Sequence, residues 1–393
     1  MKLLHFSDMH IGMENYSKLD PVTGLSTGLL DFFKTFDFIV EKAFEEQVDA
    51  VLFAGDAYKT RDPNPTQQRG FGERIKKLAN KIPVVLVVGN HDTPNAEGKA
   101  NTLDIYSALE IENVWVSRKP ELLQIPTPSG NLQIITLPWL HKNDYKQVAE
   151  KLKLMYEKIK PLPTGGPAVF LSHAEIEGAA FGSEKGLTIG NDISIPLPLL
   201  QDKKLCYAAL GHIHKHQILS KNPLIVYSGS PQRIDFGEEK EKKGFIIVEI
   251  SAISRQSSDK FKTSYKFIPS RARKFLTITV DLKTDDKDPT QTILDKIKKN
   301  NIRGKIVRLI INIHGELDQD IGMDKIKKAL HPAHIVAGIS RNVDRVEREK
   351  LSLGKDVETL TPVSALKKYF EVKKYSPAKQ RELENYATAL LES

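Results

Sequence analysis

Five short apolar runs, each closed by a polar cluster of Asp, His or Asn, constrain this chain more than any other feature. The run at residues 3–6 ends on Ser7-Asp8-Met9-His10, and that at 50–54 on Gly55-Asp56. The runs at 84–88, 168–171 and 206–210 end on Gly89-Asn90-His91-Asp92, Ser172-His173 and Gly211-His212-Ile213-His214. Short, fully apolar runs bounded by glycine and polar residues read as buried strands. Between them lie segments of helical period. Leu29, Phe32, Phe33, Phe36, Val40, Ala43 and Phe44 recur at spacings of three and four, and Phe71, Ile75, Leu78 and then Tyr145, Val148, Leu152, Met155 repeat the pattern. Strand and helix in alternation predict an α/β architecture. Ligands in such folds collect beyond the carboxyl ends of the strands, so strands running side by side would bring all five clusters to one edge.

The convergence would gather the carboxylates of Asp8, Asp56 and Asp92, the amide of Asn90 and the imidazoles of His10, His91, His173, His212 and His214. Oxygen and nitrogen donors without thiolate suit Mn²⁺, Fe²⁺ or Zn²⁺. Two such cations about 3.5–4 Å apart can clamp a phosphoryl group and activate a water. Asp56, alone after its strand and preceded by glycine, is the natural bridging carboxylate. Singly, Asp-x-His also fits a capping Asp beside a satisfied histidine, and a lone His173 fits a core residue. The two glycine-led motifs are more specific, and the five together have no economical structural explanation. His5, His141, His216, His314, His331 and His334 lack such a motif and read as ordinary core or surface residues.

The rest of the chain bounds the setting. Lys and Arg number 58 against 50 Asp and Glu, a net charge of +8 that favours approach to a polyanion without establishing it. The single Cys206 rules out an internal disulfide and a Cys-rich zinc module. No apolar stretch reaches the roughly 18 residues of a membrane span, and Met1-Lys2 runs straight into a strand, so a cytoplasmic protein with no membrane association is expected. After Pro269 the texture changes: strand-like 275–280, helical 290–299, strand-like 306–313, helical 323–330 and strand-like 335–339 predict a small second α/β unit over 271–345. Residues 346–361 read as a polar linker. Residues 362–393 hold two amphipathic stripes, Val363, Leu366, Phe370 and Leu383, Tyr386, Leu390, which could dock on their own chain or on a partner.

The five motifs resemble those of the calcineurin-like metallophosphoesterases, a likeness covering residues 1–270. Within that superfamily, Tyr227-Ser228-Gly229-Ser230-Pro231-Gln232-Arg233-Ile234-Asp235-Phe236-Gly237-Glu238 is similar to the segment after the last motif in the SbcD family of nucleases. The superfamily resemblance implies a two-sheet β-sandwich flanked by helices. It implies one metal on Asp8, His10, Asp56 and His214, and a second on Asp56, Asn90, His173 and His212. His91 would then assist the leaving oxygen, with Asp92 orienting its imidazole. The narrower resemblance implies a Mn²⁺-dependent exonuclease and endonuclease acting on duplex ends, hairpins and single strands in DNA repair and recombination. It makes 271–345 a DNA-capping domain and 362–393 the docking site for an SbcC-type ABC ATPase. That partner would hold the ATP, since this chain has no Gly-x-x-x-x-Gly-Lys loop. A homodimer is also implied. One departure stands out: Lys59 occupies a place where many relatives have Asp or His. Lys59 and Arg61 are either phosphate contacts or solvated loop charges, and Arg233 is a further candidate for DNA contact. The rival readings are a phosphatase or cyclic-nucleotide phosphodiesterase acting on a small phosphoester, and a non-catalytic DNA-end scaffold.

Overall fold

The computed structural model describes residues 1–94, 96, 98–140, 147–160, 166–183, 193–253, 261–283, 285–314, 321–344, 364, 366–367, 369–370 and 375–391. The chain opens with β1 Lys2–Phe6, α1 Thr27–Glu45, β2 Ala50–Phe53, α2 Pro65–Ala79, β3 Val84–Val87, α3 Asp104–Ala108 and β4 Val114–Ser117. It continues through β5 Glu121–Thr127, β6 Gly130–Leu137, α4 Val148–Lys158, β7 Ala168–His173, β8 Glu175–Ile176, β9 Ser194–Ile195 and β10 Leu205–Gly211. Then come β11 Gln217–Lys221, β12 Leu224–Tyr227, β13 Gly244–Ala252 and β14 Phe261–Pro269. The last stretch holds β15 Phe275–Asp281, α5 Pro289–Lys298, β16 Ile306–His314, α6 Met323–Leu330, β17 Ile335–Asp344 and α7 Pro377–Leu391. Local chemistry sets the helix starts. Ser26 accepts from Gly28 N and Leu29 N at the head of α1, and Asn64 with Gln67 forms a capping box before α2, which has Pro65 in its first turn.

The five expected strands form, but they do not share a sheet. One sheet runs β14-β13-β1-β2-β3-β4 and the other β11-β12-β10-β7-β6-β5. Thus β1, β2 and β3 pair in parallel in the first, while β7 and β10 pair in parallel in the second. The runs look alike in sequence because every one is covered on both faces, so texture alone does not assign them to a sheet. Between the sheets pack Leu3, Leu52, Val85 and Val87 from one side and Ile134, Val169, Leu171 and Ala209 from the other. The outer face of the first sheet carries Phe6 and Phe53 against Phe36 and Phe71 of α1 and α2; the outer face of the second carries Phe170 and Leu210 against Leu152 and Met155 of α4. Each such fully buried side chain contributes roughly 1.5–3 kcal/mol relative to exposure. The result is the helix-flanked two-sheet sandwich that the resemblance implies.

Beyond β14 a parallel sheet, β15-β16-β17, has its own core of Ile278, Val280, Leu309 and Ile311 under Ile293 of α5 and Ile326 of α6. Polar side chains seat it on the sandwich. Arg273 grips Asp31 of α1 with two hydrogen bonds of 2.5 and 2.8 Å, His334 meets Thr27 at 3.0 Å, and Thr277 donates to Glu239. The expected linker at 346–361, together with Val363, His141 and Tyr145, lies outside the described residues. Among the described residues no helix is long and apolar enough to cross a membrane.

Candidate metal centre

The strand ends of both sheets open onto one edge, and the backbone there is unusual. Asp8, His10, Asp56 and His212 take positive φ angles of 54°, 44°, 60° and 97°, a region that costs a non-glycine residue of order 1–3 kcal/mol and clusters at functional sites. The loops after β1 and β2 are stitched together, Asp8 N to Gly55 O at 2.9 Å and His10 N to Asp56 O at 3.1 Å. Two glycines are required by the crowding. A Cβ on Gly55, itself at φ 89°, would collide with the His173 ring, and one on Gly89 with the Asp56 carboxylate.

Around this edge the seven residues expected to hold metal come together. Donor atoms of Asp8, His10 and His214 lie within 4.8 Å of one another, as do those of Asp8, Asp56 and His173. His10 Nε2 is 2.9 Å from His214 Nε2, and His173 Nε2 is 2.9 Å from Asn90 Oδ1. Asp56 stands between the two groups, its Oδ2 3.5 Å from His10 Nε2 and 3.4 Å from His173 Nε2. The His212 ring lies 5.1 Å from that of His173, and its backbone N–H donates to Asp8 Oδ1 at 3.1 Å. All but Asn90 are buried.

The outward nitrogens decide how the rings present themselves. His173 Nδ1 is 2.7 Å from Ala54 O, His91 Nδ1 is 2.7 Å from Lys59 O, and His214 Nδ1 is 2.8 Å from Glu238 Oε1. A carbonyl can only accept, and so can a carboxylate, so each of these Nδ1 atoms carries the hydrogen and each Nε2 offers a lone pair to the common centre. That arrangement is how protein imidazoles are tuned to bind metal. Two buried carboxylates beside inward-facing lone pairs fit a pair of divalent cations, whose charge the cluster would offset. The negative surroundings that suit a cation also favour a proton, which a bound ion would displace from His173 Nε2. Burial opposes the charged form of His173, yet Asp56 and Asp8 hold its pKa up to about 9. Burial also works against the Asp56 carboxylate, but His173, His91 and His10 keep it well below the ordinary range.

Asp92 does not do what the resemblance implied. Its carboxylate accepts from Asp56 N, Ala57 N and Gly89 N at 2.9–3.0 Å, so it clamps the loops after β2 and β3, while the Lys59 carbonyl orients His91. Burial, reinforced by Asp56, pushes the Asp92 pKa up to about 6. Arg233 is half-buried and donates to Glu241 O at 2.7 Å, bracing its own segment. Arg61 is exposed and donates to Thr93 O, and the Lys59 side chain is half-exposed at the same rim.

Two residues escaped the sequence reading. Glu238, fully buried, holds His214, and Lys243 answers it with Nζ 3.0 Å from Glu238 Oε2. Glu238 closes the segment that begins at Tyr227, so its place was visible, but its partner stands 24 residues away in the chain.

Residues 1–216 match the family described as calcineurin-like phosphoesterase. Over 270 residues the chain is 26% identical to the SbcD subunit of the nuclease SbcCD of Bacillus subtilis, covering 63% of this chain and 66% of that protein. It is also 26% identical over 277 residues to the protein of the same name in Staphylococcus saprophyticus, covering 66% of this chain and 68% of that one. Identity is 28% over 272 residues to DNA double-strand break repair protein Mre11 of Archaeoglobus fulgidus, covering 63% of this chain and 57% of that one. The likeness to the Bacillus and Archaeoglobus proteins thus spans less than two thirds of their length.

Proposed function

Because this chain belongs to the calcineurin-like phosphoesterases, we propose that it is a two-metal DNA phosphodiesterase with exonuclease and endonuclease activity, working with an SbcC-type ATPase. One observation carries the chemistry: Asp56 Oδ2 stands within 3.5 Å of Nε2 of both His10 and His173, between two sets of donors. In this reading Asp8, His10, Asp56 and His214 hold one ion, and Asp56, Asn90, His173 and His212 the other; the thiolate-free donor set suits Mn²⁺, Fe²⁺ or Zn²⁺, and the resemblance to the SbcD family favours manganese among them. A bound pair supplies neutralisation of phosphoryl charge and an acidified water.

The chain's own residues do the remaining work. His91 has its Nδ1–H pinned to Lys59 O and its backbone N–H on Asp56 Oδ1 at 2.9 Å, so Nε2 is the atom that gains and gives a proton. That places it to protonate the departing oxygen. Asp92 keeps the Asp56 and Gly89 loops in register, and the strained backbone at Asp8, His10 and His212 aims their side chains inward. Lys59 and Arg61 at the rim are suited to phosphate contact.

The choice of DNA rests on the names of the relatives and on the second unit beside the site edge. Residues 271–345 are proposed to cap the DNA, residues 362–393 to bind the ATPase, and two copies to associate. The deciding experiment is a Mn²⁺ titration on blunt and hairpin duplexes beside a small chromogenic phosphomonoester. DNA cleavage that needs Mn²⁺ and stops with chelator is expected. Turnover of the monoester with intact DNA would replace this reading with a small-phosphoester phosphatase, and no turnover of either with bound DNA would replace it with a scaffold.

A further inference from the structure

Two consecutive glutamates face opposite ways on one tight turn. Phe236–Glu238 form a single turn of 3₁₀ helix that Glu239 closes, and Asp235 sets the turn by accepting from Gly237 N at 2.8 Å and Glu238 N at 3.3 Å. Glu238 points inward. Its Oε1 takes the His214 Nδ1 hydrogen at 2.8 Å, and its Oε2 accepts from Ile234 N at 2.9 Å and Lys243 Nζ at 3.0 Å. Glu239 points outward to β15, accepting from Thr277 N at 3.0 Å and Thr277 Oγ1 at 2.6 Å. The same turn carries Phe236, whose ring meets Phe275 edge-on at 4.9 Å and lies 4.3 Å beneath the Arg308 guanidinium. Tyr16, on the loop that follows His10, completes the aromatic group at 5.4 Å from Phe236 and 5.8 Å from Phe275.

Both ends of this turn are therefore committed. The Cα atoms of neighbouring residues are about 3.8 Å apart across a rigid peptide, so a shift that re-seats β15 on Glu239 must also move Glu238. Glu238 has no slack, because each of its oxygens is already engaged by a buried partner. We propose that the Asp235–Glu239 turn is a positioning element that links the seat of the second α/β unit to the orientation of His214, with Glu238 aligning the imidazole and Glu239 anchoring the unit. Docking of that unit then tunes the metal centre directly, apart from any contact it makes with DNA. The inference rests on the two-metal reading above.

The test uses the full chain and a small chromogenic phosphodiester, so that lost DNA contacts do not enter. Glu239→Ala removes the anchor from a half-exposed position and leaves Glu238 and every metal-binding side chain in place. Thr277→Val removes the hydroxyl partner from the other side. Mn²⁺ affinity is read by titration calorimetry, kcat and KM by hydrolysis, and folding by thermal melting. Loosening a side chain that orients a metal-bound histidine typically costs about tenfold or more in metal affinity, so weaker binding of one ion by up to about that factor is expected. A lower kcat with unchanged KM should accompany it. Glu238→Gln should shift both readouts in the same direction. Wild-type Mn²⁺ affinity and kcat in folded Glu239→Ala and Thr277→Val would overturn the coupling. A wild-type chain that takes up no Mn²⁺ would overturn the two-metal reading itself, and this inference with it.

Discussion

At His91 the main chain decides which nitrogen is free to handle a proton. The Lys59 carbonyl takes the Nδ1 hydrogen, and the ring stands perpendicular to that of His10 with centroids 4.8 Å apart. Exchanging His91 for Asn keeps a polar side chain of smaller size but removes the Nε2 atom. His91→Asn is expected to retain both metals while losing about 10²–10⁴-fold in rate, the range for a general acid or base; metal analysis beside a cleavage assay checks it, and an undiminished rate would remove His91 from the reaction. Asp56 is different in kind, since its charge serves both halves of the centre. Asp56→Asn leaves the shape but removes the negative charge at the midpoint, so both ions should be lost together. Full occupancy in that variant would contradict a bridging role. Residue types and spacing made this donor set legible, because each sits directly after an apolar run. The partners behind the rings were not legible: Ala54 O and Lys59 O are backbone atoms with no sequence signature, and Glu238 reaches His214 only through the fold.

Strand β1 does more than deliver Asp8 and His10 to the edge. His5, fully buried between the sheets, meets Tyr207 OH at 2.7 Å with Nδ1 and Leu210 O at 3.2 Å with Nε2. Burial is the main reason its pKa falls from 6.5 to about 3. Between those values the unfolded chain binds a proton that the folded chain refuses, so the contribution of His5 to stability is constant above about pH 6.5 and declines as pH drops below it. The decline approaches about 1.4 kcal/mol per pH unit, or about 2 kcal/mol by pH 5. His5→Gln should therefore unfold in urea with a pH 5 to pH 7 difference smaller by about that amount, and an unchanged difference would place the pH dependence elsewhere. In sequence His5 is one polar residue inside an apolar run, and nothing local marks it as the link between layers. The same blindness explains why five similar strands could not be apportioned between two sheets: alternation is lost when both faces are covered.

On the scale of the whole molecule, the contacts that join one part of the chain to another rest on single residues. The sandwich and the second α/β unit share buried contacts through Asp31–Arg273, Glu239–Thr277 and the Phe236 ring. Their separate textures were readable because the apolar period restarts after Pro269, whereas the seat between them depends on single residues that no pattern reveals. Near the chain's end the described residues touch one another. Lys367 meets Glu384 at 3.7 Å, Phe370 is buried with its ring 5.7 Å from Tyr375, and Tyr386 on α7 is 66% exposed. A helix that displays an exposed aromatic side chain is suited to a partner's groove, where buried aromatic anchors carry a large share of binding energy. Deleting residues 362–393 should therefore leave Mn²⁺-dependent cleavage at its original rate while abolishing co-purification with an SbcC-type ATPase. Tyr386→Ala in the full chain should weaken that association by about 2 kcal/mol, roughly 30-fold, if the ring is such an anchor. Because the substitution lies on an exposed helix face remote in sequence from every metal-binding residue, an equal loss of cleavage would mean that α7 supports the nuclease itself, and unchanged co-purification after the deletion would move the docking site elsewhere on the chain.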